Sequence, residues 1–488
     1  MQPQTVEEVL ANGQRYLGAG DLHNAEGHFR AVLERYPQHP DALHLLGVVT
    51  YQAGDAERAL EMISRSLELA PDRLYFWLNF SEISRASGRT DAAIRGFKKA
   101  IELSPNFAGA WYGLGQAHER AGDFPDAIAA YRRSMELDAN DPCPQLNLGV
   151  LIEREGQYDE ARRLFERALE LRPDYPHAHV ALGLSMMRRG ELERAWPHYE
   201  WRWRHPHFRG AGLDQEHPVW DGAHLNGKTI VVRNEQGLGD VLQFVRYLPM
   251  ISARGGQLVL EAQPPLESLL RQNPSFGSIV AIGDALPIYD IQVGLLSLPG
   301  IFKTDMSNIP ATVPYIEVDP LVVRRWRQRL GEPAGLRVGL VWAGNPRFPG
   351  DKRRSITLES FAPLLKIPAV AFYSLQVGSA GEQAKAPPAG ANLTDLGPDL
   401  RDFTDTAAVL LQLDLLIAVD TSVVHLAGAL ARPVWTLIPY VPDWRWFMDR
   451  EDSPWYPTMR LFRQRRLDDW SDPIERVTSA LCQLVAAR

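Results

Sequence analysis

Three short segments of this 488-residue chain hold residues suited to binding an anion and moving a proton. The first runs TIVVRN-EQGLGD-VLQF, an apolar strand entering Gly237-Leu-Gly239-Asp240 and then a helix. Its glycines permit a tight turn and close ligand approach. Asp240 would stand at the helix start, either as a proton acceptor or as an N-cap, which the same position would also satisfy. The second runs LLIAVD-TSVVHLAG, ending a strand on Asp420 and opening a helix at Thr421-Ser422. Free amides and the helix dipole make such a terminus an anion site. His425 falls in the first turn, with its side chain directed back toward that anion. The third is the loop VWAGNPRFPGDKRRS, in which Arg347, Lys352, Arg353 and Arg354 follow a strand end beside Asn345. A basic run alone is usually a solvated face. Opposite a helix N-terminus on the same strand edge, it reads as a phosphate clamp.

These segments need strands to place them. TIVVRN (229–234), QLVLEA (257–262), SIVAIG (278–283) and YIEVD (315–319) form one series. RVGLVWAG (337–344), VAFYSLQ (370–376), LLIAVD (415–420), PVWTLIP (433–439) and MRLFRQ (459–464) form another. Near-continuous apolar strands alternating with helices predict parallel sheets covered on both faces. Two series predict two Rossmann-like lobes, 228–325 and 326–488, with ligands at the carboxyl ends of the strands. Trp444, Arg445 and Trp446 follow the strand PVWTLIP; they would either stack on a base or sugar or plug the gap between the lobes.

The first 205 residues are of another kind. Ala25, Ala59, Ala93, Ala127, Ala161 and Ala195 recur every 34 residues, and Gly13, Gly47, Ser81, Gly115, Gly149 and Gly183 keep the same beat twelve residues upstream. Phe29, Phe97, Tyr131, Phe165 and Tyr199 lie one helical turn after the alanine. Pro37, Pro71, Pro105 and Pro173 close units. Small residues at two fixed phases imply helix pairs whose backbones touch at the same points in each unit. The pattern resembles the tetratricopeptide repeat in six units, with Trp111-Tyr-Gly-Leu-Gly115 the nearest match. The resemblance implies an all-α superhelix whose groove holds extended peptides or partner proteins. Asn79 and Asn147, two residues before the repeat small residue, are at the groove-facing phase and are candidates for peptide backbone binding. An assembly scaffold without peptide capture is the plainer reading. The junction, 206–227, follows a Trp-rich stretch; Trp196, Trp201 and Trp203 are expected to cap the array and dock it on the next domain.

A net charge of -8 argues against nucleic acid as a partner. Two distant cysteines argue against a disulfide framework and a structural zinc site, and neither the carboxylates nor the histidines show metal-ligand spacing. The N-terminus lacks the plan of a signal peptide and no apolar run is long enough to span a membrane, so a cytoplasmic protein is expected.

Gly239-Asp240-Val241-Leu242 together with Asp420-Thr-Ser-Val-Val-His425-Leu-Ala resembles the family 9 glycosyltransferases, the bacterial heptosyltransferase-like enzymes of the GT-B fold. The resemblance covers about 228–488. It implies inverting, metal-independent transfer from a nucleotide-sugar co-substrate, with no other cofactor. Asp240 would be the base. Gly237, Gly239, Asn345, Lys352, Arg354, Asp420, Thr421, Ser422 and His425 would hold the donor. Ser422 stands where that family usually has glycine. Fused repeats point to a protein acceptor. A non-catalytic scaffold with a degenerate transferase domain, and a transferase acting on lipopolysaccharide or another glycan, are the alternatives.

Overall fold

The computed structural model describes residues 5–205, 213–332 and 335–487. It divides into two compact units, Met1–Ala178 and His179–Arg488. Residues 206–212 of the expected junction lie outside the described residues.

The first unit is built of helix pairs: Val6–Gly18 with Leu22–Arg35, Pro40–Gln52 with Ala56–Leu69, Leu74–Ala86 with Thr90–Leu103, Ala108–Ala121 with Phe124–Leu137, and Pro142–Arg154 with Tyr158–Leu171. The repeat alanines are fully buried. The small residues are dictated by the aromatic stripe. A Cβ on Gly13 would meet Phe29 at 2.5 Å, one on Gly115 would meet Tyr131 at 2.5 Å, and one on Gly149 would meet Phe165 at 2.6 Å. Overpacking of that kind costs about 1–3 kcal/mol per site. Each pair turns at a left-handed glycine, with φ +77° at Gly20, +100° at Gly54, +88° at Gly122 and +82° at Gly156. Asp21 and Asp55 follow two of these glycines, and their carboxylates accept the N–H groups of Asn24 and Arg58 at 3.1 Å. Such caps contribute about 1 kcal/mol each.

The division falls inside the helix Pro176–Arg188, so residues 179–188 and the helix Leu192–Tyr199 lie in the second unit. Tryptophans tie them to it. Trp196 Nε1 donates to Thr304 O at 2.8 Å, and Trp203 packs where a Cβ on Gly294 would lie 2.4 Å away. Trp201 instead stacks on His179, ring centroids 4.0 Å apart. Arg202 is fully buried in a two-point pair with Glu235, at 2.6 and 2.8 Å, and its Nη2 also donates to Ser297 Oγ at 2.8 Å.

Two all-parallel sheets follow. The first contains β1 (Thr229–Arg233), β2 (Gln257–Ala262), β3 (Ser278–Ala281) and β4 (Ile291–Gly294), in the order β3-β2-β1-β4. The second contains β5 (Leu336–Val341), β6 (Val370–Ser374), β7 (Leu393–Asp395), β8 (Leu415–Val419), β9 (Val434–Ile438) and β10 (Met459–Arg463). Its order is β10-β9-β8-β5-β6-β7, the doubly wound arrangement that reverses direction between β5 and β8. Val338, Leu340, Ile417, Val419, Leu437 and Phe462 form its core with Ile474, Val477 and Leu481 of the helix Ser471–Ala486.

The expected strand 315–319 is absent. That segment is extended, but side chains and a helix end hold it rather than a ladder. Tyr315 N–H donates to Ala429 O (3.0 Å), Glu317 N–H to Asn273 Oδ1 (2.6 Å) and Asp319 N–H to Gln272 Oε1 (2.6 Å). The fourth strand is instead β4, a four-residue run with buried Gln292 in it. β7, an edge strand of three residues, is a second strand that the apolar pattern does not mark.

Candidate functional site

The reversal between β5 and β8 is where a doubly wound sheet opens a ligand crevice. β5 leads into Trp342 and Ala343, whose N–H groups donate to Gln376 Oε1 at 3.0 and 2.9 Å. Gly344 then leaves room for a guanidinium: a Cβ there would lie 2.7 Å from Arg354 Nη2. Arg354 pairs with Asp351 at 3.1 Å and lies over Phe348. Its charge reaches Asp420 and His425. The rest of the basic loop does not converge. Lys352 is exposed, Asn345 is exposed and accepts the Arg347 N–H at 3.0 Å, and burial lowers half-buried Arg353 with Asp468 opposing it.

β8 ends at Val419, Asp420 follows it, and the helix Ser422–Ala429 begins two residues later with Thr421 at its N-cap. Thr421 is 7% exposed and makes no side-chain cap bond; its Oγ1 is buried without a partner. Ser422 is half-buried. Burial pushes the Asp420 carboxyl up to about 6, reinforced by the Asp443 carboxylate and opposed by Arg354. His425 Nδ1 meets the Tyr456 hydroxyl at 3.0 Å, and its ring stacks on Trp446. Burial, with Arg445 beside it, holds His425 well below the usual histidine range, so the ring is neutral.

Asp240 comes from the other sheet. It lies in the first turn of the helix Leu238–Phe244, three residues past the Gly237 N-cap, and its Oδ2 accepts the Gly237 N–H at 2.8 Å. Gly237 is exposed and has φ -74°, so it is not held there by a left-handed turn. Gly239 is needed for helix contact. A Cβ there would sit 2.9 Å from His425 Cδ2 and 3.5 Å from Ser422 Cα, so the two helices meet at their N-terminal turns. Asp240 Oδ1 accepts from Arg445 Nη2. Burial raises the Asp240 carboxyl and Asp443 adds to this; Arg445 and the Gly237 N–H oppose it.

The segment after β9 supplies what sequence reasoning leaves undecided. Trp444 and Trp446 are 3% and 0% exposed, and Trp444 packs on Phe244, Trp196 and Trp455. They close the gap between the sheets and offer no open face for stacking. Arg445, between them, reaches Asp240, Asp443 and Gln243. Among the described residues, no group of three or more His, Cys, Asp or Glu is placed to hold a metal ion.

In the repeat unit, Asn79 Nδ2 lies 2.8 Å from His44 Nε2, and Asn147 Nδ2 donates to Tyr112 and Tyr131 hydroxyls at 3.4 and 3.3 Å. Both amides are half-buried and already engaged by side chains of neighbouring helices. His44 is buried on Phe76, and desolvation lowers it to about 4, leaving a neutral ring to receive the Asn79 amide.

Family models described as tetratricopeptide repeat match residues 10–73, 84–142 and 154–195. The N-terminal region carries tetratricopeptide repeats. The helix pairs, their buried alanines and their glycine turns are those repeats seen in three dimensions. Protein FlbA of Caulobacter vibrioides is 28% identical over 294 residues, 55% of this chain and 48% of that protein. The chain thus spans about half the length of the curated relative it matches. Among solved structures, MamA of Desulfovibrio magneticus is 20% identical over 36% of this chain and 98% of its own, TM-score 0.33. A thermophilic TPR protein of Thermus thermophilus is 23% identical over 38% of this chain and 100% of its own, TM-score 0.31. No described helix is long and apolar enough to cross a membrane.

Proposed function

We propose that the second unit is a glycosyltransferase of the GT-B, family 9 kind, moving a sugar from a nucleotide-sugar to a hydroxyl of a protein engaged by the tetratricopeptide repeats. The observation that carries the reading is the buried, unpartnered Thr421 hydroxyl. It sits at a helix N-terminus, at the strand-order reversal, next to Asp420, which the Arg354 charge reaches, and in a helix whose first turn meets the Asp240 helix. Free amides, an orphan donor and a guanidinium are what a diphosphate requires. In the reaction Asp240 accepts the proton of the attacking hydroxyl as the bond to the anomeric carbon forms. The Thr421 and Ser422 amides and Arg354 take up the charge of the departing nucleoside diphosphate. His425, neutral and packed on Gly239, supports this by holding the two helices together.

A non-catalytic reading draws on one observation: Asp240 is ion-paired to Arg445 within a gap closed by Trp444 and Trp446. The two readings separate in a titration with UDP-, GDP-, ADP- and CMP-sugars. The transferase binds one class saturably, and Asp240→Asn keeps that binding while losing transfer. Absence of saturable binding in the native chain would favour the scaffold.

A further inference from the structure

Arg445, in the turn after β9, and Asp240, in the helix after β1, are 205 residues apart yet paired. Arg445 is 6% exposed, and its guanidinium spends each nitrogen on a different oxygen. Nε donates to Gln243 Oε1 at 2.6 Å, Nη1 to Asp443 Oδ1 at 2.8 Å, and Nη2 to Asp240 Oδ1. Gln243 is three residues beyond Asp240 on one helix face, so the guanidinium grips that face at two points. Its own face is fixed by the Trp444 ring, 4.4 Å away. The second oxygen of Asp240 is held only locally, by Gly237. The plane of the carboxylate is therefore set by one contact from its own helix and one from the opposite lobe.

We propose that Arg445 is the positioning residue for Asp240: it fixes the carboxylate's orientation and keeps it ionised, so that the base is armed only when the two lobes are together. The proposal rests on the reading of Asp240 as the base. A buried carboxylate without a counter-charge takes up a proton rather than stay ionised. Arg445 is the cation paired with Asp240, and the Gly237 N–H is the other group that favours its ionised form. Asp443, from the same segment, repels it; Tyr199 of the last repeat helix is an un-ionised phenol; and His425, from the facing helix, is neutral. Arginine suits the site because its planar fork reaches three acceptors at fixed angles, which an ammonium does not.

The test is an isotope-edited infrared titration of aspartate carboxyls in the full chain, with Asp240→Asn identifying the Asp240 band. In R445Q the protonation midpoint of Asp240 is expected to rise by about one to three pH units. In R445K, which keeps the charge but loses the three-point grip, a smaller rise is expected. Hydrogen exchange of the helix Leu238–Phe244 shows whether each variant retains its fold, and R445K stands in should R445Q not fold. A native midpoint in the folded variants overturns the proposal, even if both lose transfer. If Asp240→Asn still transfers sugar, the base reading falls instead, and the two failures are told apart.

Discussion

Thr421→Val separates a ligand site from a structural one, because the two make opposite predictions for stability. A threonine at an N-cap usually contributes about 1 kcal/mol by accepting a backbone N–H, so its loss is destabilising. Here no such bond is made; Oγ1 is buried, 7% of the residue is exposed, and the hydroxyl has no partner. An unsatisfied buried hydroxyl costs about 1–3 kcal/mol. Valine keeps the branched shape and removes that cost. The ligand-free variant should therefore be as stable as the native chain or up to about 2 kcal/mol more stable. If the hydroxyl is kept for a diphosphate, the variant loses a charge-assisted hydrogen bond of about 1.5–3 kcal/mol, a ten- to hundredfold loss of affinity at about 1.4 kcal/mol per decade. Stability is read by urea denaturation with hydrogen exchange resolved to the helix Ser422–Ala429, and affinity by titration with nucleoside diphosphates. A variant that is less stable by about 1 kcal/mol yet binds as tightly as the native chain would show that the hydroxyl serves the helix and not a ligand.

Three other expectations follow from single contacts. Gly239→Ala should destabilise by up to about 2 kcal/mol, because overpacking against the pinned His425 ring exceeds the alanine helix gain; the same change at exposed Gly27, where a Cβ meets nothing within 4 Å, should stabilise by about 1 kcal/mol. Glu235→Gln removes the two-point partner of the fully buried Arg202 and leaves it the Glu200 carboxylate at 2.5 Å, so the cost in denaturation of the second unit should fall below the roughly 3–5 kcal/mol of a charge left wholly unpaired. His44, held near 4 against an unfolded value of 6.5, binds no proton in the folded chain where the unfolded chain does; repeat-unit stability should be flat above pH 6.5 and fall by about 3 kcal/mol on acidification to about pH 4, and His44→Gln should flatten the profile read by hydrogen exchange.

The repeats are legible in sequence because one contact recurs: an aromatic ring over a small residue forces the same two letters every 34 positions. The doubly wound sheet is legible through its long apolar strands, and the turn residues Asp240 and Thr421 through their place directly after them. Residues 315–319 mislead because an alternating apolar pattern marks extended backbone, whether strands or the side chains of Gln272 and Asn273 satisfy it. β4 and β7 are hidden because four and three residues show no period. The tie from Arg445 to Asp240 has no local signal. Only the packing of Trp444 and Trp446 into the gap turns that arginine inward. The loop bearing Lys352 and Arg354 reads as one basic cluster, yet Asp351 and Phe348 select Arg354 alone for the site.

Sugar transfer to protein separates a transferase from a scaffold. Native protein and Asp240→Asn are each incubated with the nucleotide-sugar that binds and with protein extracted from cells lacking this gene product. Sugar on protein is then read by mass spectrometry alongside nucleoside diphosphate release. Glycosylated protein with matching release is expected from the native chain, and bound donor without either product from the variant. Equal transfer by both, or bound donor with no transfer to any protein by the native chain, would contradict that expectation.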